Sequence, residues 1–237
     1  MVWLARLADS LPIALLAGVV GLDVVSFPQA MLSRPIVAAT LGGALAGSPA
    51  SGLVCGVALE CLALESLPVG ASRYPEWGSA SVVAGALAAV GATSGALLPA
   101  VGAFAVAVLV GIVAAWIGGW SMVQHRQLIA RVAWPRLGQL AAGSRNTVTG
   151  LQLFGMTADL ARGSLLGGVL YLVGHPLTAT VQARWAMPEG LSRAIVVTIV
   201  AAVAAAAVWK DFHAISGTRR LFVISLAVGT LVVVFRA

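Results

Sequence analysis

The chain has 237 residues, of which 60% are hydrophobic and only 9% charged, with a mean hydropathy of +1.00. Soluble domains keep roughly half their residues apolar and about a quarter charged, so a soluble enzyme or carrier is excluded and an integral membrane protein is expected. The net charge of +6 does not point to nucleic acid, because the basic residues sit mostly at the ends of apolar segments, as they do in cytoplasmic loops of membrane proteins.

The length suits one membrane domain without a large extramembrane part, so residues 1–237 are read as a single all-α, polytopic domain. The opening run, MVWLARLADSLPIALLAGVV, has no small-x-small cleavage site before Asp23. It reads as a retained first helix. From there to Glu76 the pattern is broken: Pro12, Pro28, Pro35, Pro49, Pro68 and Pro75 interrupt it, and glycines recur between them. The apolar pieces are only about a dozen residues long, too short to cross a bilayer. Broken or re-entrant helices are therefore expected, and such backbone survives at membrane depth only where protein or a polar cavity satisfies it. Short Gly/Pro-interrupted segments are also the best sequence pointer to a transporter binding site.

The later chain predicts cleaner spans at Ser79–Leu98, Val101–Trp120, Leu191–Trp209 and Leu221–Phe235. Between 122 and 149 the pattern breaks, with Arg126, Arg131, Arg136 and Arg145 and no acid. Leu128, Ile129, Val132 and Leu137 form a narrow apolar stripe there, so a cytoplasmic, interfacial amphipathic helix is expected. Residues 150 to 190 read as one long tilted helix or two short ones, with Asp159 and Arg162 at a helical spacing that lets them pair.

Five charged residues lie inside the oily stretch 33–76: Arg34, Glu60, Glu65, Arg73 and Glu76. Charge in such a setting usually faces a cavity, a partner or a ligand path. Glu60 sits within GLVCGVALECLAL and reads either as a buried structural carboxylate or as a binding group. Glu65 points about 140° away on an ideal helix, so the two do not form a hydrolytic carboxylate pair. Asp23 closes the first apolar run and Gln29 follows in SFPQAM. Both read as helix caps or as the acceptor and amide groups that a hydroxylated ligand needs. Arg34, before Pro35, reads as an interface anchor or as a partner for Asp23 or Glu60. Glu76, after Pro75, reads as a helix-start charge or a site residue.

Cys55 and Cys61 lack the neighbours of a metal site and read as small buried side chains. His125, His175 and His213 are scattered and lack catalytic or metal-binding company. No phosphate-binding loop, nucleophile elbow or dinucleotide fingerprint occurs, so neither a cofactor nor a catalytic residue of the chain's own is expected.

Taken together, Asp23 and Gln29, then SRPIVAATLGGALAG, then GLVCGVALECLALESLPVGA and the Pro75–Glu76 pair resemble the membrane subunit IIC of mannose/sorbose-type phosphotransferase systems. Residues 15–100 carry the match best. The resemblance implies a multi-pass permease of the bacterial inner membrane that binds a hexose-like sugar and translocates it for phosphorylation. The partners it implies are a IID membrane subunit, IIB and IIA phosphocarriers, and further copies in an oligomer. Carried over onto this chain, it gives Asp23, Gln29, Glu60, Gly70 and Glu76 as substrate-binding residues, with Arg34 and Glu65 as structural or pairing charges. A non-phosphorylating facilitator or sensor, or a structural membrane subunit, is the alternative.

Overall fold

The computed structural model describes residues 2–24, 26–64, 74–93, 96–212 and 217–236. Glu65, Gly70, Arg73 and His213 fall outside them. The described residues are helical and form no strands, as the composition requires of a chain that must satisfy its backbone within lipid.

Helix α1 (Val2–Asp23) runs through Pro12, which therefore does not break it. A proline removes one helical donor, and a membrane helix accommodates that loss where other groups or a cavity take up the freed carbonyl. The next three helices are short: α2 (Pro35–Leu45), α3 (Pro49–Ala63) and α4 (Trp77–Ala88). Pro35 and Pro49 each begin a helix, where the missing N–H would have been unpaired anyway. Ser48 caps α3 by accepting the Ser51 amide. At 11, 15 and 12 residues, these helices are about 16–23 Å long, short of the ~30 Å hydrocarbon core. The broken-helix expectation for the N-terminal third is met.

The expected span Ser79–Leu98 is not one helix. Helix α4 ends at Ala88, and Gly91 adopts φ +72° in the turn that follows. Hydropathy alone does not register that reversal. Helix α5 (Val101–Ala133) then runs unbroken for 33 residues, about 50 Å. It passes through the basic segment expected to form a separate interfacial helix. Only residues 134–141 depart, as a short 3-10 turn and a small helix α6 (Leu137–Ala141). At that length α5 exceeds the ~30 Å bilayer core. Helix α7 (Arg145–Ala183) is a single element of 39 residues that continues through Pro176, which resolves the choice left by the sequence. Helices α8 (Glu189–Phe212) and α9 (Thr218–Arg236) complete the chain. Among the described residues, three helical segments, Val101–Ala141, Arg145–Ala183 and Glu189–Trp209, are long and apolar enough to cross a membrane.

The core surrounds α4, whose residues Gly78–Ala88 are all buried, between α1, α2, α3, α5 and α7. Val82, Val83, Leu87, Leu59 and Phe104 are its larger side chains. Much of the remaining contact is backbone against backbone. Gly42 packs on Val82, Gly43 on Gly52, and Gly85 on the Ala39 carbonyl, the small-residue packing usual between membrane helices. Cys55 is buried in this core and Cys61 is half-buried, both as free thiols.

A methyl group at Gly85 would collide with the Ala39 carbonyl, so Gly85→Ala must push α2 off α4. We expect a loss of about 1–3 kcal/mol, read as a lower thermal midpoint of the detergent-purified protein. Gly150→Ala, which meets nothing within 4 Å, should leave the midpoint nearly unchanged.

Candidate functional site

The breaks in the N-terminal third leave backbone N–H groups without helical partners; the Ser48 hydroxyl serves the start of α3, and carboxylates serve the others. Asp23, the last residue of α1, is only 3% exposed. Its Oδ1 accepts the Ala30 amide at 2.6 Å, and its Oδ2 accepts the Ser33 amide and hydroxyl, each at 2.9 Å. The loop so held carries Gln29 and Met31 in the left-handed region, at φ 59° and 62°, which costs about 1–2 kcal/mol per residue. The amide of Ala30 between them is thereby aimed at Asp23. Gln29 itself is exposed at the tip of this loop.

Glu60 reaches from α3 to the start of α2, where its Oε2 accepts the Ile36 amide at 3.2 Å. Its Oε1 pairs with Arg34, the residue preceding Pro35. The Glu60 side chain is 16% exposed and that of Arg34 48%, so this pair forms the open edge of the site. Of the partners expected for Arg34, the structure places Glu60 against it. Glu76 caps α4, its Oε1 accepting the Ser79 amide at 2.9 Å, while its own amide donates to the Ala115 carbonyl of α5 at 2.8 Å.

These groups share one level of the bundle. A Cβ at Gly78 would lie 3.0 Å from Glu76 Oε1, 3.1 Å from the Val20 carbonyl and 3.2 Å from Ser33 Cβ. Gly78 is therefore the thin partition between the Asp23–Ser33 contact and Glu76. Behind Glu76 lies a buried cluster of which spacing reveals only a local acid–base pair. Arg162 Nε donates to Asp159 Oδ1 at 2.8 Å, and Nη1 to Ser121 Oγ at 2.9 Å on α5. The guanidinium charge also faces Glu76. Asp159 is 1% exposed and Glu76 fully buried. Glu76 Oε2, Asp159 Oδ2 and Arg162 Nη2 are buried without a hydrogen-bond partner, so this inner cluster has uncommitted polar atoms on both sides of its charge. The only local signal for it was an acid–base pair three residues apart in a glycine-rich apolar segment.

The structure thus brings Asp23, Arg34, Glu60 and Glu76 into one polar layer at helix breaks, with Gln29 on the adjoining loop; Gly70 and Glu65 lie outside the described residues. The layer is tightly packed: Glu76 is closed over by Gly118, whose substitution would bring a Cβ within 2.9 Å of Glu76 Cβ. Cavities among the described residues lie elsewhere, including one of about 360 Å³ between α1, α2 and α7 and one of about 740 Å³ lined by residues on both sides of the α4–α5 connection.

The family model for the sorbose-specific IIC component of the phosphotransferase system matches residues 7–156. The chain belongs to this family. The matched residues include the helix breaks and their carboxylates, span all of α5 and end within α7, before Asp159. A comparison with curated proteins gave no match. Membership makes the protein an integral membrane component of a sugar phosphotransferase system, in agreement with its apolar helices.

Removing the cation from the inner cluster should be severe. Arg162→Ala leaves two buried carboxylates without their counter-charge, and losing one partner of a buried pair costs about 3–5 kcal/mol. We expect strongly reduced folded yield and thermal midpoint, with most of the loss recovered when Asp159→Asn is added. At the outer break, Asp23→Ala should speed hydrogen exchange at the Ala30 and Ser33 amides by at least about tenfold, given the ~1.5–3 kcal/mol of a hydrogen bond to a charged group.

Proposed function

We propose that the protein is the membrane permease subunit of a mannose/sorbose-type phosphotransferase system, which binds a hexose-like sugar at the helix breaks and translocates it for phosphorylation by partner subunits. The observation that carries this reading is the meeting of Asp23, Glu60 and Glu76 at three interrupted helices within the family-matched segment. A sugar is recognised by acceptors and amides held in fixed geometry, and each of these carboxylates is already fixed by backbone amides. Asp23, Gln29, Glu60, Gly70 and Glu76 are the proposed substrate-binding residues, with Arg34 and Glu65 as pairing charges.

In this reading each residue has a distinct task. Glu60 offers its Arg34-paired oxygen to a sugar hydroxyl, and Arg34 swings aside because nearly half of its side chain is free of packing. Gln29 supplies an amide from the loop tip. Glu76 holds α4 in place and meets the sugar from behind Gly78 once the α2–α3 hairpin shifts. The site is closed in this state, so binding requires that shift. The driving force for one-way uptake comes from phosphorylation of the sugar on the cytoplasmic side, which the IIB and IIA carriers perform with a IID subunit completing the membrane complex. The chain itself contributes binding and movement and no phosphorylated residue. The whole chain, 1–237, forms one multi-pass unit of the bacterial inner membrane, assembled as an oligomer, with the basic 122–149 region facing the cytoplasm. A facilitator or sensor that moves or binds sugar without phosphorylation uses the same site and differs only in its partners.

Glu60→Gln keeps the shape and the Ile36 contact but removes the charge that orders Arg34. Sugar uptake by cells carrying the complete system should fall at least about tenfold, as expected for loss of a charged hydrogen bond of ~1.5–3 kcal/mol, while membrane insertion stays intact. Unchanged uptake would remove Glu60 from the site. Uptake without phosphorylated product in the wild type would favour the facilitator.

A further inference from the structure

The cavity of about 360 Å³ at the far end of α1 is built from features that the helix breaks do not use. Two prolines stand inside membrane helices, Pro12 in α1 and Pro176 in α7. A helical proline withholds the N–H that would bond the carbonyl four residues earlier. Those carbonyls belong to Ala8 and Leu172. Ala8, Pro12, Leu172 and Pro176 all line the same cavity, so the two prolines and the residues whose helical donors they withhold meet there, contributed by two antiparallel-packed helices.

Three polar side chains join them. Asp9, Tyr171 and His175 line the cavity as well, with the Tyr171 and His175 rings 5.5 Å apart at 56° and the Tyr171 hydroxyl within electrostatic reach of Asp9. Ile13 and Leu45 supply an apolar floor. The Asp9 carboxylate and the His175 imidazole give the lining its acceptors, beside an aromatic ring and an aliphatic surface. Its natural complement is a small molecule with many O–H donors and a C–H face. The volume lies at the lower end of the range for small-molecule sites, too roomy for a bare ion. Among the described residues no group of three or more His, Cys, Asp or Glu is placed to hold a metal ion.

We propose that this cavity is a second binding site for a polyhydroxylated solute, separate from the helix breaks and about 20 Å from them along α1. The choice of a sugar-like ligand rests on the permease reading; the cavity and its acceptors do not. Asp9 accepts hydroxyl hydrogens, His175 accepts or donates, and Tyr171 gives its ring to the C–H face. A sugar held here waits at the end of the bundle opposite the layer formed by Asp23, Glu60 and Glu76.

The test is saturation-transfer NMR on the full-length protein in lipid nanodiscs, titrated separately with L-sorbose, D-fructose, D-mannose and D-sorbitol. It compares wild type, Glu60→Gln, Asp9→Asn, His175→Gln and the Glu60→Gln/Asp9→Asn pair, each checked for an unchanged thermal midpoint. We expect Glu60→Gln to retain a binding component that Asp9→Asn weakens about tenfold or more and His175→Gln weakens less, with nothing left in the pair. Binding that is identical in wild type and Asp9→Asn for all four probes would overturn the proposal. Binding that depends on Asp9 but not on Glu60 would uphold it while removing the sugar site from the helix breaks.

Discussion

A chain that interrupts its helices inside an apolar bundle must provide for the amides it exposes, and here carboxylates meet that requirement. Asp23 holds the return from α1, Glu60 holds the start of α2, and Glu76 holds the start of α4. Without them each break would leave buried N–H groups unsatisfied, at a cost of several kcal/mol in hydrocarbon surroundings. The same arrangement places negative charge where helix N-termini favour it. In the proposed reading, structure and binding chemistry have a common origin: the residues that make the breaks possible are the ones proposed to present oxygen to a sugar. The bland and the functional readings of these acids are not rivals.

The charges are arranged in depth. At the outer edge, Arg34 and Glu60 remain partly open to solvent. At the inner side, Asp159 and Arg162 stand behind Glu76 with uncommitted polar atoms, and α5 closes them off. Glycine makes this depth possible, because Gly78 and Gly118 let backbone and carboxylates approach to distances that a side chain would forbid. In the proposed reading, the partly exposed outer pair is the side that opens while the buried inner cluster stays fixed. The long α5 and α7 flank that cluster, and the short α2–α3 hairpin carries the Arg34–Glu60 pair at the open edge.

The sequence made the breaks legible at Pro35, Pro49 and Pro75, because proline at or just before a helix start is a local event with a local signature. The family segment was legible for the same reason, as a run of short motifs. Pro12 and Pro176 misled or were silent, since their effect depends on what lies beside the freed carbonyl, and that is settled by another helix. The end of α4 was hidden because Ser79–Leu98 is apolar throughout and only the backbone at Gly91 turns it. Asp159 and Arg162 were visible as a pair, yet their position behind Glu76 follows from the packing of α7 against α1 and α4, which no spacing records. Gln29 was named from its residue type. Its left-handed backbone, fixed by the Asp23–Ala30 contact, explains why it stands at the tip of the loop.

The account stands on the loop held by Asp23 being the place where sugar meets the protein. It is tested most directly by placing a single cysteine at the exposed Ala30, in a chain whose Cys55 and Cys61 are alanine, and measuring its rate of maleimide labelling in membranes as each hexose is added. The account predicts that the transported hexose slows labelling in a saturable way and that this protection disappears in Glu60→Gln. Labelling that proceeds at one rate with and without every hexose the system phosphorylates would contradict it.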